Sequence, residues 1–543
     1  IGFDLEIIPK KLILKENSAL YHVDDQTDKF EKSYQQQNAT SPNLTRKAEA
    51  KYIKQNQQQH SVTLTYTDTF KEKHNLEAML GGEYFNWHQY TLNARTENSP
   101  SDDIPTLNAG SNRTYTYSYK EGYRILSGFA RVNYNYNYKY LLSVVARYDG
   151  ISKLSDNRWG FFPSGALGWM VSNEAFFEPL KDVFSQFKFK GSYGMSGQDQ
   201  IGSGNDRFYY LSDVNMNADR KVNWGTQMNY NPGAISFNRY ANDQIGWETS
   251  YKMNVGLEAT TTFGLSANVE YFTERRENIL LDRVIPATMG ILPAVKANLG
   301  KAKGHGVDME FNYEKSFNKD LWITGRGTFT YATSEAVEWE EPDYSETPWL
   351  SKVGKSLGQT WGYIAERLFV DEEEVKNSPT QFGEYMAGDI KYRDVNGDGK
   401  ISELDKVPIG YPTTPEINYG FGLSVGYKGL DASFFFQGSG RQSFWLDLKK
   451  ITPFLDGDAG ENGEDGLLGQ NAVLDVIANS YWSENNRNPY AFWPRLANQS
   501  VENNNQTSTW FMQDATFLRL KSVEIGYTVP KNLVKKFKVQ NLR

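Results

Sequence analysis

Apolar and polar residues alternate with a period of two along much of the chain. In one stretch Val62, Leu64 and Tyr66 share a face, while the residues between them are polar. The same alternation recurs at 75–84, 140–149, 248–259, 265–271, 307–313 and 417–427. Because successive side chains of a strand point to opposite faces, this pattern predicts antiparallel β-strands with one apolar and one polar face.

The connections between these runs differ sharply in length. Short links at 135–139, 260–264, 315–320 and 428–429 alternate with long polar ones at about 93–120, 197–246, 273–304, 334–416 and 438–515. A soluble sandwich would show the same alternation, but it rarely carries several loops this long. Strand-like runs of about ten residues also match the length that crosses a bilayer at a tilt. The pattern favours an all-β fold, a large antiparallel transmembrane β-barrel formed by 1–543 with long extracellular loops.

Composition supports a barrel over a helical membrane protein. Only 39% of the residues are hydrophobic, and the sequence holds no run of about 20 apolar residues of the kind that a spanning helix requires. Aromatic residues make up 14% of the chain, as expected where rings mark both membrane interfaces. A net charge of −8 argues against a nucleic-acid partner, and the absence of Cys excludes disulfides and thiol chemistry.

The two ends suggest a fragment. The chain opens on Ile1 with neither an initiator Met nor a signal peptide. It ends on Arg543, without the terminal aromatic residue of a finished barrel. We therefore expect an internal piece that covers most of a barrel wall.

Four motifs resemble those of the SusC/RagA class of TonB-dependent outer-membrane transporters. They are NRWGFFPSGALGW at 157–169, the stretch 298–310 with its GHGVDME segment, GDIKYRDVNGDG at 388–399 and FLRLKSVEIGY at 517–527. They fall in the family's order over most of the chain. The resemblance implies a 22-stranded barrel with an N-terminal plug, in the outer membrane of a Gram-negative, Bacteroidetes-like bacterium. The plug, the TonB-contacting segment and the last strands of that family would lie outside this chain.

The resemblance also implies partners and a function. TonB would supply energy through the plug, a SusD-like lipoprotein would cover the extracellular mouth, and two transporter–lid pairs would form a dimer. The function expected is import of a nutrient oligomer, with an oligosaccharide favoured over an oligopeptide. A surface receptor or adhesin that does not transport is the alternative. The sequence shows no HExxH, G-x-S-x-G or P-loop motif, and we expect no enzymatic activity.

One loop has the spacing of calcium ligands. Asp394, Asn396, Asp398, Ser402 and Asp405 occupy the first, third, fifth, ninth and twelfth positions of an EF-hand-like loop. The carbonyl of Lys400 would be the seventh-position ligand. The spacing predicts a Ca²⁺ or Mg²⁺ site, although Asp replaces the usual final Glu and an Asp/Asn/Gly turn needs no ion.

Aromatic residues in the long loops are candidate substrate contacts. Sugar rings stack on aromatic side chains, and Tyr209, Tyr210, Trp224, Trp445 and Trp510 are the candidates. The alternative is that these residues pack the loops together.

Overall fold

A computed structural model describes most of the chain. It covers residues 1–35, 43–201, 208–218, 223, 225–226, 234–289, 295–454, 471–497, 500–530 and 542–543. The strands in these residues are β1 (Gly2–Ile8), β2 (Leu12–Glu31), β3 (Lys47–Phe70), β4 (His74–Glu97), β5 (Asn112–Tyr136), β6 (Tyr140–Ile151), β7 (Trp159–Met170), β8 (Phe184–Gln198), β9 (Asp213–Ala218), β10 (Ala234–Arg239), β11 (Glu248–Thr261), β12 (Leu265–Asp282), β13 (Lys296–Ser316), β14 (Leu321–Glu338), β15 (Thr360–Gly362), β16 (Ala365–Leu368), β17 (Ile390–Tyr392), β18 (Val407–Ile409), β19 (Ile417–Tyr427), β20 (Leu430–Gly440), β21 (Ser443–Trp445), β22 (Met512–Asp514) and β23 (Phe517–Tyr527).

Helices in the described residues are few and short. The α-helices are α1 (Glu372–Lys376), α2 (Leu448–Ile451) and α3 (Asp475–Ala478). Short 3₁₀ helices span Leu107–Ala109, Val171–Asn173, Ala175–Leu180, Ala287–Met289, Pro348–Leu350, Glu403–Asp405 and Glu502–Asn505. Among the described residues, no helix has the length and apolar character needed to span a membrane.

One antiparallel sheet holds fifteen of the strands. Its order is β1-β2-β3-β4-β5-β6-β7-β8-β11-β12-β13-β14-β19-β20-β23. Each strand pairs with the next strand of the sheet along the chain, so the sheet is a continuous meander. The predicted all-β, antiparallel barrel architecture is confirmed.

Tight turns join the strands at one end of the sheet. The central residues of three of these turns both have positive φ: Lys71 and Glu72, Asn137 and Tyr138, and Lys428 and Gly429. Paired positive φ values define type I′ turns, whose twist matches that of the flanking strands. The predicted short links therefore all lie at this short-turn end, and the long connections lie at the opposite end.

The two faces of the sheet differ in polarity. On β6, Tyr140, Leu142, Val144 and Tyr148 are all exposed large side chains on one face, which we call the lipid face. Tyr140 stacks on Tyr136 at the short-turn end. Eight residues further along, Tyr148 stacks on Trp159. At about 3.3 Å per residue these rings stand roughly 26 Å apart along the strand. They flank the apolar positions between them, as aromatic girdles flank an apolar band.

Rows of paired residues are inclined across the sheet. One row on the lipid face passes through Tyr136, Tyr140, Trp169, Phe189, Leu257, Val269, Met309, Phe329 and Tyr419. The row begins at Tyr136, beside the tight turn after β5, and ends at Tyr419, near the long-loop end of β19. A stagger of this kind is what strand tilt produces in a barrel.

Strands β2 to β5 extend far beyond the apolar band, and this corrects two loop boundaries. β3 and β4 have 24 residues each and β5 has 25, so only 98–111 connect β4 to β5 instead of 93–120. Likewise, β12 continues to Asp282 and β13 begins at Lys296, which shortens the loop at 273–304. Alternation of apolar with polar positions weakens in these segments because polar side chains fill even the buried positions at 93–96, while the ladder of backbone hydrogen bonds continues.

Candidate functional site

The inner face of the wall carries a chain of charge-assisted contacts centred on Arg147. Its Nε lies 2.8 Å from Asp149 Oδ1, and its Nη2 lies 3.2 Å from Glu83 Oε2. The same Nη2 donates to Ser127 Oγ at 2.9 Å. These partners come from β4, β5 and β6, so one guanidinium joins three strands. We conclude that the sequence places a rigid, hydrophilic surface on the side away from lipid.

A second charged group lies nearer the short-turn end. Lys190 Nζ lies 2.8 Å from Glu258 Oε1 and also contacts Glu270, and Lys188 Nζ lies 3.2 Å from Glu258 Oε2. Lys188, Lys190 and Glu270 line an open cavity of about 730 Å³ together with Glu77 and Asn133. The inner face is therefore polar and hydrated, as the interior of a large barrel is.

Three tyrosines form a ladder on the extended part of β5. They are not among the aromatic residues predicted from the sequence as substrate contacts. Ring centroids are 5.7 Å apart between Tyr115 and Tyr117 and 6.3 Å apart between Tyr117 and Tyr119. Strand alternation places all three on the face that carries Arg131 lower in β5. Asn93 Nδ2 donates to the Tyr117 hydroxyl at 3.2 Å. The repeat Tyr-Thr-Tyr-Ser-Tyr was a period-two signal inside a stretch assigned to a loop.

Two long loops, 339–416 and the described residues of 441–516 (441–454, 471–497 and 500–516), fold together into one unit that we call the loop domain. Backbone hydrogen bonds join them: Tyr363 N to Thr507 O at 2.9 Å, and Leu368 N to Pro489 O at 2.8 Å. They share a core made of Tyr363, Leu368, Ile390, Tyr392, Ile401, Ile477, Trp482, Ala491, Trp493 and Phe511. The loop domain therefore has a hydrophobic core of its own beyond the long-loop end of the wall.

Asp389 is a buried charged group at the junction of the two loops, with no exposed surface. Arg495 Nε lies 2.9 Å from its Oδ1, Asn504 Nδ2 donates to Oδ1 at 2.8 Å, and Met386 N donates to Oδ2 at 2.9 Å. Burial raises the pKa of Asp389 above its ordinary value, and the Arg495 guanidinium opposes that rise. The Asp389–Arg495 ion pair therefore links the residue before β17 on one loop to the segment after Trp493 on the other.

The predicted aromatic contacts lie in packed environments where the structure describes them. Trp445 Nε1 donates to Ser508 O, and Trp510 Nε1 donates to Phe492 O beside the core of the loop domain. Tyr209 is buried in a smaller cluster with Ile151, Leu154, Ile201 and Ile245, with Tyr210 next to it in the chain. Trp224 lies outside the described residues. These contacts match the packing alternative, and a role in substrate binding stays a prediction.

The predicted calcium loop is held by its own hydrogen bonds. Both oxygens of Asp394 accept backbone N–H bonds, from Gly397 at 2.7 Å and Gly399 at 2.8 Å. Asp405 is fully buried and accepts from the backbone of Val395 and Ser402.

The other predicted ligands take part in the same turn: Asn396 donates to Asp398, whose Oδ1 accepts from Lys400 N. Across the described residues, no three His, Cys, Asp or Glu side chains are placed to hold a metal ion. Occupancy by Ca²⁺ or Mg²⁺ stays a prediction, and calorimetric titration of the purified protein with each cation would test it.

Asp102 ties together two loops at the extended end of β2 to β5. It accepts hydrogen bonds from Ser33 N and Ser33 Oγ, at 2.7 and 2.6 Å, and from Arg46 Nε at 2.7 Å. Hydrogen bonds from Ser33, followed by that from Arg46, lower the pKa of Asp102 to about 2. This node fixes the connection 98–111 to the end of the β2–β3 hairpin.

The lowered pKa of Asp102 predicts acid sensitivity of this node. A carboxyl group whose folded pKa is depressed contributes stability above its unfolded pKa and loses it as the pH falls through the folded pKa. Hydrogen exchange in 98–111 should therefore accelerate as the pH falls from about 4 towards 2, beyond the intrinsic change in exchange rate. The Asp102→Asn variant should already exchange faster at neutral pH. Asp103→Asn, which alters the exposed neighbouring residue, should behave like the unaltered protein.

With the wall and its faces described, comparison with known proteins decides the family. Residues 13–542 match the family described as TonB dependent receptor-like, beta-barrel. The chain belongs to the TonB-dependent receptor β-barrel family. It is 25% identical to TonB-dependent receptor P3 of Formosa agariphila over 88% of this chain and 46% of that protein. It is 24% identical to TonB-dependent receptor SusC of Bacteroides thetaiotaomicron over 83% of this chain and 42% of that protein.

Solved structures give the same fold. The RagAB peptide transporter superposes with a TM-score of 0.76 at 21% identity, covering 99% of this chain and 56% of that chain. The expected resemblance to the SusC/RagA class and the outer-membrane location are confirmed. The chain spans about half the length of the relatives that it matches.

Proposed function

We propose that this chain is the barrel wall of a TonB-dependent importer that takes up an oligosaccharide together with a SusD-like lipoprotein lid. The observation that carries the proposal is the tyrosine ladder on β5, on the same strand face as the hydrophilic inner wall. Stacking rings offer sugar faces an apolar contact, and the neighbouring carboxamide and carboxylate groups suit hydroxyls. TonB acts through the part of the full-length protein that lies outside this chain.

The direct test of import is removal of the TonB-contacting segment from the full-length protein. Surface binding of the nutrient should persist, while its uptake should fall to background. Uptake that survives the deletion would exclude TonB-driven import. Binding without any uptake by the unaltered protein would identify a receptor or adhesin.

The substrate class is tested by a binding panel on the complex with its lid protein. Oligosaccharides and oligopeptides of similar length are titrated separately, with binding measured by calorimetry. Saturable binding of an oligosaccharide is expected. Saturable binding of peptides alone would overturn the glycan assignment and leave import itself intact. Co-purification of the lid protein with the barrel checks the proposed partnership.

Replacing Tyr117 by alanine tests the ladder itself. Loss of one stacking ring should weaken oligosaccharide binding by about 0.5–1.5 kcal/mol, which is roughly two- to tenfold. The effect should appear in affinity or KM more than in the maximal uptake rate. Thr116→Ala, on the opposite face of the same strand, is the matched control and should leave binding unchanged. Equal losses in the two variants would show that the ladder is not the contact surface.

A further inference from the structure

The lipid face of β3 to β5 carries a basic pocket immediately beyond its apolar band. On β5, Leu126 lies on the same face as Tyr136 and is two residues beyond Gly128, which pairs with Tyr148 at the long-loop aromatic girdle. The next two even-numbered positions with long side chains towards the long-loop end are Arg124 and Lys120. Arg124 lies about 6.6 Å further along the strand than Leu126, so it stands beyond the long-loop girdle, at the level of the lipid headgroups.

Strand register brings one further basic residue, Lys54, into the pocket. Lys120 pairs with Tyr90, which pairs with Lys54, so these side chains lie on one face. Gly122 pairs with His88 in the row below. The residues surround an open pocket of about 660 Å³, which also includes Asn56. That volume suits a phosphorylated sugar headgroup.

The cationic groups of the pocket are available to a ligand. In the described part of the chain, Lys54, Lys120 and Arg124 take part in no ion pair with a carboxylate. Lys120 Nζ lies 5.8 Å from the centroid of the Tyr90 ring, and Arg124 Nε lies 3.4 Å from Asn86 Oδ1. Asp24, across from Lys54, is engaged by the Tyr52 hydroxyl and His22 Nε2, each at 2.7 Å. Glu121 contributes to the rim, but alternation turns its side chain to the opposite face, where Gln89 donates to it.

We propose that this pocket binds the phosphate-bearing headgroup of an outer-leaflet glycolipid. Lys and Arg recognise phosphate through charge-assisted hydrogen bonds, and Asn56 and Tyr90 offer polar contacts to the sugar. The acyl chains of the same lipid lie against Leu126 and Leu80 below, which are 52% and 65% exposed. A transported nutrient passes along the other face of the sheet, so the pocket serves the surrounding membrane and not the cargo.

The test uses the full-length transporter and a bis-phosphorylated lipid A, with binding counted by native mass spectrometry. Lys120→Gln/Arg124→Gln should lower the affinity for this lipid at least about tenfold. Binding of the same lipid after enzymatic removal of its phosphates should be weak and equal in both proteins. The matched control is Arg275→Gln/Lys303→Gln, which alters lipid-face residues already paired with Glu277 and Glu335. This control should bind like the unaltered protein.

Three outcomes would overturn the proposal. Equal binding of phosphorylated and dephosphorylated lipid would remove the role of phosphate. An equal loss in the control variant would indicate a general charge effect. Displacement of the lipid by inorganic phosphate at comparable concentration would assign the pocket to a free anion instead of a lipid. An unchanged heat-modifiable gel shift confirms that each variant still forms the barrel.

Discussion

Replacing Asp389 by alanine is expected to destabilise the loop domain by about 3–5 kcal/mol. The substitution leaves the Arg495 guanidinium, whose side chain is only 19% exposed, without its carboxylate. It also removes the acceptor of the Asn504 and Met386 hydrogen bonds. Since both loops meet at this residue, hydrogen exchange should rise in 339–416 and 471–516 together, while the barrel strands remain protected.

Two comparison variants sharpen that result. Glu373→Ala alters an exposed residue of α1 in the same loop domain and should leave exchange unchanged. Asp389→Ala/Arg495→Met removes both charges and should be less destabilised than Asp389→Ala alone, since a buried pair replaced by apolar groups often costs little. Faster exchange in one loop only would contradict the description of the loop domain as a single cooperative unit.

Arginine at Val144 is expected to destabilise the barrel by about 2–4 kcal/mol. Val144 is 45% exposed on the lipid face and lies midway between Tyr140 and Tyr148, which mark the two interfaces. A charged group there enters the middle of the hydrocarbon. The measurement is denaturant unfolding of the full-length protein in lipid vesicles, followed by the shift in electrophoretic mobility.

The matched control for Val144→Arg is Ser118→Arg. Ser118 lies on the same face of the sheet, on β5 beyond the apolar band, and its side chain is exposed. An arginine there meets water and should change stability by less than about 0.5 kcal/mol. A cost as large as that at Val144 would contradict the assignment of the apolar band to lipid.

Alternation predicted the wall well wherever one face meets lipid. The run at 417–427 has the bounds of β19, and the run at 140–149 falls within β6. Alternation failed at 93–97 because the buried residues there, Asn93, Arg95 and Thr96, are polar. It failed at 112–120 because β5 is largely exposed on both faces there and needs no apolar positions. The tyrosines at 115, 117 and 119 were overlooked for this reason, although their period of two was visible.

The loop domain was less predictable because its core joins residues distant in sequence. Trp510 packs against the core that contains Tyr363 and Trp493. Only the three-dimensional fold shows that these rings belong to one core. The sequence pattern around a tryptophan in a polar loop does not distinguish a residue that packs in a core from one that binds a ligand. Asp389 was visible within a motif, but its role depends on Arg495, which lies on the other loop.

The most direct test of the lipid-facing wall is the accessibility of single cysteines across 141–146. The chain contains no Cys, so each substitution introduces the only thiol in this part of the protein. A nitroxide attached at each position reports collisions with oxygen, which concentrates in lipid. If even-numbered residues of β6 face lipid, oxygen collision rates should be high at 142, 144 and 146 and low at 141, 143 and 145. A uniform profile, or one with the opposite phase, would contradict a wall that faces lipid on one side and a hydrated lumen on the other.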